Sequence, residues 1–229
     1  IVLCGMLIII IAFVINAIIN NYKISMRTKE METELKDKSI AVMISQIQPH
    51  FLYNALNTIK YLIKKDPKTA EQVVVKFSKY LRANMDSLTQ KTPLPVEKEL
   101  EHVANYTDIE KHRFGDRLNV VYDIECNDFV ILPLTIQPIV ENAIKHGLMK
   151  LQKGGTIRVV SYETDTHYCI SVEDDGVGFD TSVLLDERKH VGIRTIRGRL
   201  DAMVNGTLQI ESTEGVGTKV LIQIPKEVA

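Results

Sequence analysis

The chain opens on an uninterrupted apolar run. Its first nineteen residues, IVLCGMLIIIIAFVINAII, carry no charge and only one strongly polar side chain, Asn16. This length is what a helix needs to cross the hydrocarbon core of a bilayer. Because the run lacks the basic start and the small-residue cleavage site of a signal peptide, it predicts a transmembrane helix over residues 1–20. Lys23, Arg27 and Lys29 follow at once, and this positive bias places the rest of the chain in the cytoplasm.

Amphipathic helices come next. Residues 21–40 are predicted as a charged linker helix, and residues 41–91 as a hairpin of two helices. The second hairpin helix begins at Asp66, a good N-cap, with Pro67 at its first helical position. Each hairpin helix has a wide apolar arc, so we expect two hairpins to pair as a dimeric four-helix bundle, and therefore a homodimer. The apolar arc of the first hairpin helix comprises Ile44, Ile47, Phe51, Leu52, Ala55, Leu56, Ile59, Leu62 and Ile63.

The pattern changes after the breaker QKTPLP, which predicts a domain boundary near residue 92. Helical and strand periodicities then alternate over residues 92–229. Helices are predicted over residues 96–112, 133–148 and 192–204, and strands over residues 118–125, 156–162, 167–174, 206–212 and 217–225. The expected fold class is α+β, with an α/β sandwich in which helices cover one face of a mixed sheet.

Composition excludes several classes of function. The formal net charge is -1 and the pI is near 6.7, so the chain has no basic footprint for nucleic acid. Cys4, Cys126 and Cys169 are far apart and lack the spacing of a zinc site or a disulfide framework.

The stretch QIQPHFLYNAL places a proline inside the first hairpin helix. At 100° per residue, His50, Tyr53 and Asn54 fall opposite the apolar arc, so His50 faces solvent or a partner. Pro49 frees the carbonyl of Ser45 and loosens the turn beneath His50, a cost that an ordinary surface would not require. Histidine offers a neutral ring nitrogen near pH 7, so an exposed histidine can act as a nucleophile if a phosphoryl donor reaches it.

The stretch QPIVENAIKHG predicts a polar helix face opposite an apolar one. Its polar face carries Glu141, Asn142, Lys145 and His146. An amide oxygen at Asn142 suits Mg²⁺, which keeps most of its waters and its phosphate ligands. Lys145 or His146 could meet phosphate charge, although a solvated face is an equally good reading of this stretch in isolation.

Three glycine-rich stretches follow. Counting by twos along HYCISVED places Asp174 on the apolar face at the strand end, where its carboxylate needs a donor such as an adenine amino group. Glycine lets the backbone approach a ligand closely, and free N–H groups at a helix start attract phosphate. The candidate residues in these stretches are Gly176, Gly178, Gly192, Gly215, Gly217 and Thr218.

Together these motifs resemble the N, G1, G2 and G3 boxes of the ATP-binding fold shared by histidine kinases, gyrase, Hsp90 and MutL. With QIQPHFLYNAL ahead of them, residues 40–225 resemble a sensor histidine kinase of the LytS/YesM type. The resemblance implies that His50 is the phosphoacceptor, Asn142 the Mg²⁺ ligand and Asp174 the adenine contact. It also implies that the glycines at positions 176, 178, 192, 215 and 217 lie around the nucleotide.

Two positions depart from the family pattern. His190 stands where a glycine pair would have its first member. Phe51 stands where many histidine kinases have an acid beside the phosphoacceptor, which leaves Glu141 as a candidate proton acceptor. Asn54 could orient a water for dephosphorylation, or be an ordinary surface asparagine.

The resemblance therefore implies a membrane-bound kinase that uses ATP and Mg²⁺ to phosphorylate His50. The phosphoryl group would pass to the receiver domain of a response regulator, and an N-terminal sensing part would precede this chain. Two alternatives stay open: an ATP-driven conformational machine of the gyrase/Hsp90 kind, and a nucleotide-binding scaffold that only relays a signal.

Overall fold

The computed structural model describes residues 49–89, 92–181 and 191–226, together with residues 21–23, 26, 27, 29 and 31. The chain divides into two compact units, Ile1–Pro49 and His50–Ala229. In the first unit the described residues are helical. None of the helices among the described residues is long and apolar enough to span a membrane. The transmembrane helix predicted over residues 1–20 lies outside the described residues.

Two helices form the predicted hairpin, α1 (Pro49–Lys65) and α2 (Pro67–Thr89). Asp66 caps α2 as expected, since its carboxylate accepts hydrogen bonds from the backbone N–H and the hydroxyl of Thr69 at 3.2 and 2.6 Å. The buried arc of α1 is narrower than the sequence predicts. Leu56 and Ile63 are 56% and 58% exposed, because only one side of α1 is covered within the described chain.

After the hairpin, five strands form one sheet. They are β2 (Leu118–Ile124), β4 (Gly155–Glu163), β5 (His167–Asp174), β6 (Thr207–Thr213) and β7 (Gly217–Pro225). Their order in the sheet is β2-β4-β5-β7-β6. The strands β2 and β4 are parallel and the remaining neighbours are antiparallel, which confirms the predicted mixed sheet. Two further strands, β1 (Leu94–Pro95) and β3 (Val130–Ile131), pair antiparallel as a separate ladder.

The described helices of this part pack on one face of the sheet. They are α3 (Val96–Phe114), α4 (Gln137–Asn142) and α5 (Val191–Val204). Alternation along the strands puts the buried side chains beneath these helices and the charged side chains on the opposite face. The covered face includes Val120, Ile157, Val159, Ile170, Val172 and Ile222.

The helix predicted over residues 133–148 starts later and changes its geometry. It begins as α4, continues as a π-helix over Ala143–Gly147, and ends in a 3₁₀ turn over Leu148–Lys150. The late start has a local cause: Leu134 has a φ of 54°, and the buried carboxylate of Glu99 accepts hydrogen bonds from the backbone N–H groups of residues 134–137. A side chain of α3 thus caps α4.

Candidate nucleotide site and phosphoacceptor helix

A cavity of about 420 Å³ lies over the carboxyl end of β5. The π-helix, the start of α5 and the inner faces of β6 and β7 enclose it. Its walls are largely apolar, formed by Ile139, Val172, Phe179, Ile193, Leu208 and Ile210. Its polar lining consists of Asn142, His146, Lys150, Asp174 and Thr218, and the backbones of Gly178 and Gly192 complete it. An apolar slot with a few polar groups suits a flat aromatic base that carries a charged tail.

The helical segment from α4 through the π-helix to the 3₁₀ turn contributes three polar side chains to the cavity. Asn142, His146 and Lys150 follow one another at intervals of four residues, and all three line the cavity. The i→i+5 turn of a π-helix is typical of functional sites. Burial lowers the pKa of His146, and the charges of Lys145 and Lys150 lower it further. His146 is therefore neutral at pH 7, and Lys150 supplies the positive charge on this wall.

Asp174 lines the cavity from the end of β5, on the apolar face of the sheet as the strand alternation predicts. It stands opposite Thr218 of β7 in the strand register. One carboxylate oxygen accepts a hydrogen bond of 2.9 Å from the backbone N–H of Gly176. Burial raises the pKa of Asp174 to about 6, and the neighbouring charge of Asp175 adds to the rise. The carboxylate is thus mostly ionised at pH 7 and has oxygen lone pairs to offer a ligand.

Two of the glycines that line the cavity leave no room for a Cβ. A Cβ at Gly147 would lie 2.7 Å from Oδ1 of Asp174, so any side chain there would displace the carboxylate. Gly178 has a φ of 59°, and a Cβ would collide with the carbonyl of Thr213. The sequence motifs include Gly178, but the predicted site omits Gly147, which ends the KHG stretch of the helix.

Four predicted nucleotide contacts lie outside the described lining. Lys145 is exposed on the π-helix. Gly176 packs against Gly147, and the N–H of Gly215 donates a hydrogen bond of 2.7 Å to the carbonyl of Val177. Gly217 has a φ of 136° at the start of β7. These three glycines hold the loops beside the cavity in shape. His190, which departs from the family pattern, lies outside the described residues.

The placement of Glu141 corrects the sequence analysis. The pattern puts Glu141 on the exposed polar face with Asn142, but its side chain is only 7% exposed. Its Oε1 accepts a hydrogen bond of 2.6 Å from Nε2 of Gln137 and lies 3.4 Å from the hydroxyl of Tyr80. The hairpin covers this side of α4, which helical spacing within α4 could not reveal.

His50 is exposed on α1, as the helical projection predicts. Its imidazole contacts the side chain of Asn54, one turn later, whose Nδ2 is 3.1 Å from Nδ1 and 3.4 Å from Nε2 of the ring. Phe51 points into the core instead, at 3% exposure. The carbonyl that Pro49 is expected to free belongs to Ser45, which lies outside the described residues.

The polar groups of the cavity fit Mg·ATP. The side chain of Asn142 can supply a neutral oxygen to Mg²⁺ carried by the phosphates, and Asp174 can accept from an exocyclic amino group. Lys150 offers charge to the phosphates, a role that the sequence analysis assigned to Lys145 or His146.

Comparisons with known proteins agree with this geometry. The histidine kinase family model matches residues 38–118, and the model of the histidine kinase-, DNA gyrase B- and HSP90-like ATPases matches residues 127–228. YwpD of Bacillus subtilis is 38% identical over 192 residues, which cover 81% of this chain and 69% of YwpD. The chain belongs to the histidine kinase family.

Within that family the predicted likeness to LytS is confirmed. Sensor protein LytS of Staphylococcus saprophyticus is 33% identical over 204 residues, which cover 83% of this chain but only 34% of LytS. The histidine kinase domain of a blue-light activated histidine kinase from Erythrobacter litoralis aligns with a TM-score of 0.50 over 82% of this chain and 91% of that chain. At 18% identity this likeness shows the fold.

Proposed function

We propose that this chain is the kinase region of a sensor histidine kinase, which moves the γ-phosphoryl group of Mg·ATP to His50 and then to an aspartate on a response regulator receiver domain. The observation that carries the proposal is the pair of sites within one compact unit: an exposed histidine on a hairpin helix, and a largely apolar cavity that is lined by both Asn142 and Asp174.

In this reaction a neutral ring nitrogen of His50 attacks the γ-phosphorus. A nitrogen–phosphorus bond forms, the bond from the γ-phosphorus to the bridging oxygen breaks, and ADP leaves with that oxygen. Mg²⁺ neutralises charge on the phosphates when it is bound. The protein contributes position and electrostatics: Asp174 holds the adenine, Asn142 offers an oxygen toward the metal, and Lys150 with His146 lines the phosphate end.

The proton of His50 needs an acceptor in this scheme. Glu141 was the candidate from the sequence, but its buried contacts with Gln137 and Tyr80 support a positioning role instead. The contact with Asn54 supports a role for this residue in orienting the imidazole, or a water during dephosphorylation.

The proposal includes a homodimer at the cell membrane. The outer faces of α1 and α2 expose a set of large apolar side chains, which supports pairing of two hairpins into a four-helix bundle. This set comprises Tyr53, Leu56, Tyr61, Ile63, Val74, Val75 and Met85. Residues 1–20 would anchor the dimer, residues 21–40 would link the anchor to the hairpin of residues 41–91, and residues 92–229 would bind ATP.

Incubation with γ-labelled ATP tests the proposal. Label on the protein that is labile in acid and stable in base, and that disappears in His50→Gln, is the expected result. Release of inorganic phosphate without label on the protein would indicate an ATPase instead, and absence of both would indicate a scaffold.

A further inference from the structure

A continuous set of buried contacts joins the phosphoacceptor turn to the nucleotide helix. Phe51 directly follows His50, and its ring centroid lies 4.7 Å from that of Tyr80 and 4.9 Å from that of Tyr106. Tyr80 belongs to α2 and is fully buried. The side chain next to the phosphoacceptor is therefore packed directly against Tyr80.

Tyr80 in turn reaches α4. Its hydroxyl is 3.2 Å from Nε2 of Gln137 and 3.4 Å from Oε1 of Glu141, and these two residues are themselves joined by the 2.6 Å hydrogen bond. Glu141 immediately precedes Asn142, whose side chain lines the cavity. The hydroxyl group of Tyr80 thus links the turn that carries His50 and Phe51 to the helix that carries Asn142, the proposed metal ligand.

The surroundings of Tyr80 hold it in one arrangement. His102 of α3 stacks on its ring, with centroids 5.2 Å apart and an interplanar angle of 11°. Asn84 donates a hydrogen bond of 2.9 Å to its backbone carbonyl. Burial and the negative charge of Glu141 raise the pKa of Tyr80, so the hydroxyl keeps its proton and can donate it to the carboxylate. Packed, hydrogen-bonded elements of this kind adopt discrete arrangements and do not deform gradually.

We propose that Tyr80 is a positioning residue that couples the phosphoacceptor turn to the nucleotide site. A shift of α1 at Phe51 moves the Tyr80 ring, which changes its contact with Gln137 and Glu141 and thereby the placement of Asn142. The coupling is reciprocal, so nucleotide in the cavity favours one placement of the turn that carries His50. The inference rests on the proposed function and explains why an aromatic residue stands beside His50.

Nucleotide binding by Tyr80→Phe tests the coupling. This variant keeps the ring and removes only the hydroxyl. In the whole chain, calorimetry with Mg²⁺ and a non-hydrolysable ATP analogue should show an affinity reduced by about fivefold or more, the lower end of typical coupling effects. The matched control is Tyr122→Phe, which removes a hydroxyl that lies 2.8 Å from Thr107 Oγ1 and outside the lining of the cavity, and this variant should bind like the parent.

A double-mutant cycle separates coupling from a general loss of stability. If Tyr80 acts through Glu141, then adding Tyr80→Phe to Glu141→Gln should reduce affinity no further than the stronger single variant. Additive losses, or a Tyr80→Phe affinity within twofold of the parent, would overturn the inference. Phe51→Leu removes the ring contact from the other end of the path and should lower affinity in the same direction, which keeps the test available if Tyr80→Phe does not fold.

The binding measurement needs no phosphoryl transfer, so the two proposals can fail separately. A parent protein that takes no label on His50 but shows the non-additive binding effect would overturn the kinase proposal and support the coupling. If the parent is labelled on His50 but nucleotide affinity does not change in Tyr80→Phe or Phe51→Leu, the coupling is overturned and the kinase proposal stands.

Discussion

The phosphoacceptor helix and the nucleotide cavity are built in opposite ways. His50 stands on the outer face of one helix, and its recorded polar neighbour, Asn54, comes from the next turn. The cavity draws on residues from Ile139 to Val220, and the Asp174 carboxylate within it is partly buried and accepts a hydrogen bond from the backbone N–H of Gly176. A change at His50 should therefore alter chemistry alone, whereas a change around the cavity should alter binding, stability or both.

The largest expected effect comes from removing one residue of each region. Both His50→Gln and Asn142→Ala should abolish phosphorylation, the first by removing the nucleophile and the second by removing an oxygen offered to the metal. Only Asn142→Ala should weaken binding of Mg·ATP, which calorimetry on both variants would measure.

The contrast between the phosphoacceptor helix and the nucleotide cavity depends on this difference in Mg·ATP binding. His50→Gln should also melt at the temperature of the parent, since the side chain is exposed. Label on His50→Gln would falsify the assignment of the phosphoacceptor, and parental Mg·ATP affinity in Asn142→Ala would remove the metal role.

The next largest effect concerns the support of the cavity. Glu99→Ala leaves backbone N–H groups at the start of α4 without their buried acceptor, which should cost about 1–3 kcal/mol of folding free energy for each group that stays unpaired. Denaturant unfolding would measure this loss, and nucleotide affinity should fall with it because α4 carries Asn142. The matched control is Glu97→Ala on the same helix, an exposed carboxylate bonded to Asn127, which should cost less than about 1 kcal/mol. Equal losses in the two variants would contradict the capping role of Glu99.

A smaller effect is expected at Asp174, where binding and stability should change in opposite directions. Asp174→Asn replaces an acceptor oxygen by a donor that faces the adenine amino group, and a mismatch of this kind costs about 1–3 kcal/mol, or roughly tenfold in affinity. Folding behaves differently. Because the pKa of Asp174 in the folded protein, about 6, lies above the ordinary value of 3.8 for an aspartate, the ionised carboxylate opposes folding above pH 6, and this cost disappears below pH 4. The variant should therefore melt at the same temperature as the parent at pH 7, or higher.

The same pKa predicts a pH dependence of nucleotide binding. In the parent, ATP affinity should fall as the pH drops from 7 to 5, since protonation of Asp174 removes its acceptor. Asp174→Asn should lack this component. Asp175→Asn, which changes a neighbouring carboxylate bonded to the N–H of Thr156, should retain it but at lower pH, because the charge of Asp175 then no longer raises the pKa of Asp174. Parallel pH profiles in the parent and Asp174→Asn would show that another group titrates.

Sequence reasoning succeeded where one element determines the outcome. Strand alternation placed Asp174 on the correct face, the Asp66–Pro67 pair placed the start of α2, and the mixed sheet followed from the order of patterns. It failed where two distant elements meet. The contact of Tyr80 with Glu141 spans 61 positions and that of Glu99 with Leu134 spans 35, so periodicity within α4 could reveal neither the burial of Glu141 nor the late helix start. Regular helical spacing predicted Lys145 beside the nucleotide, but with the π-helix and the 3₁₀ turn after it the lysine that lines the cavity is Lys150.

The smallest expected effect lies at the phosphoacceptor turn itself. Pro49 is the first described residue of α1, and the sequence predicts that the helix also extends before it; a proline in a helix interior can cost about 3 kcal/mol. Pro49→Ala should therefore leave the melting temperature unchanged or raise it. Phosphorylation should slow by roughly a few-fold, because a straighter helix holds the His50 ring farther from the in-line approach on which transfer depends. Nucleotide affinity should stay at the parental value as long as Phe51 keeps its contact with Tyr80, since the cavity itself is formed by residues 139–220. Melting temperature, binding and labelling rate measured on one preparation would test all three expectations, and a parental labelling rate would leave Pro49 without this role.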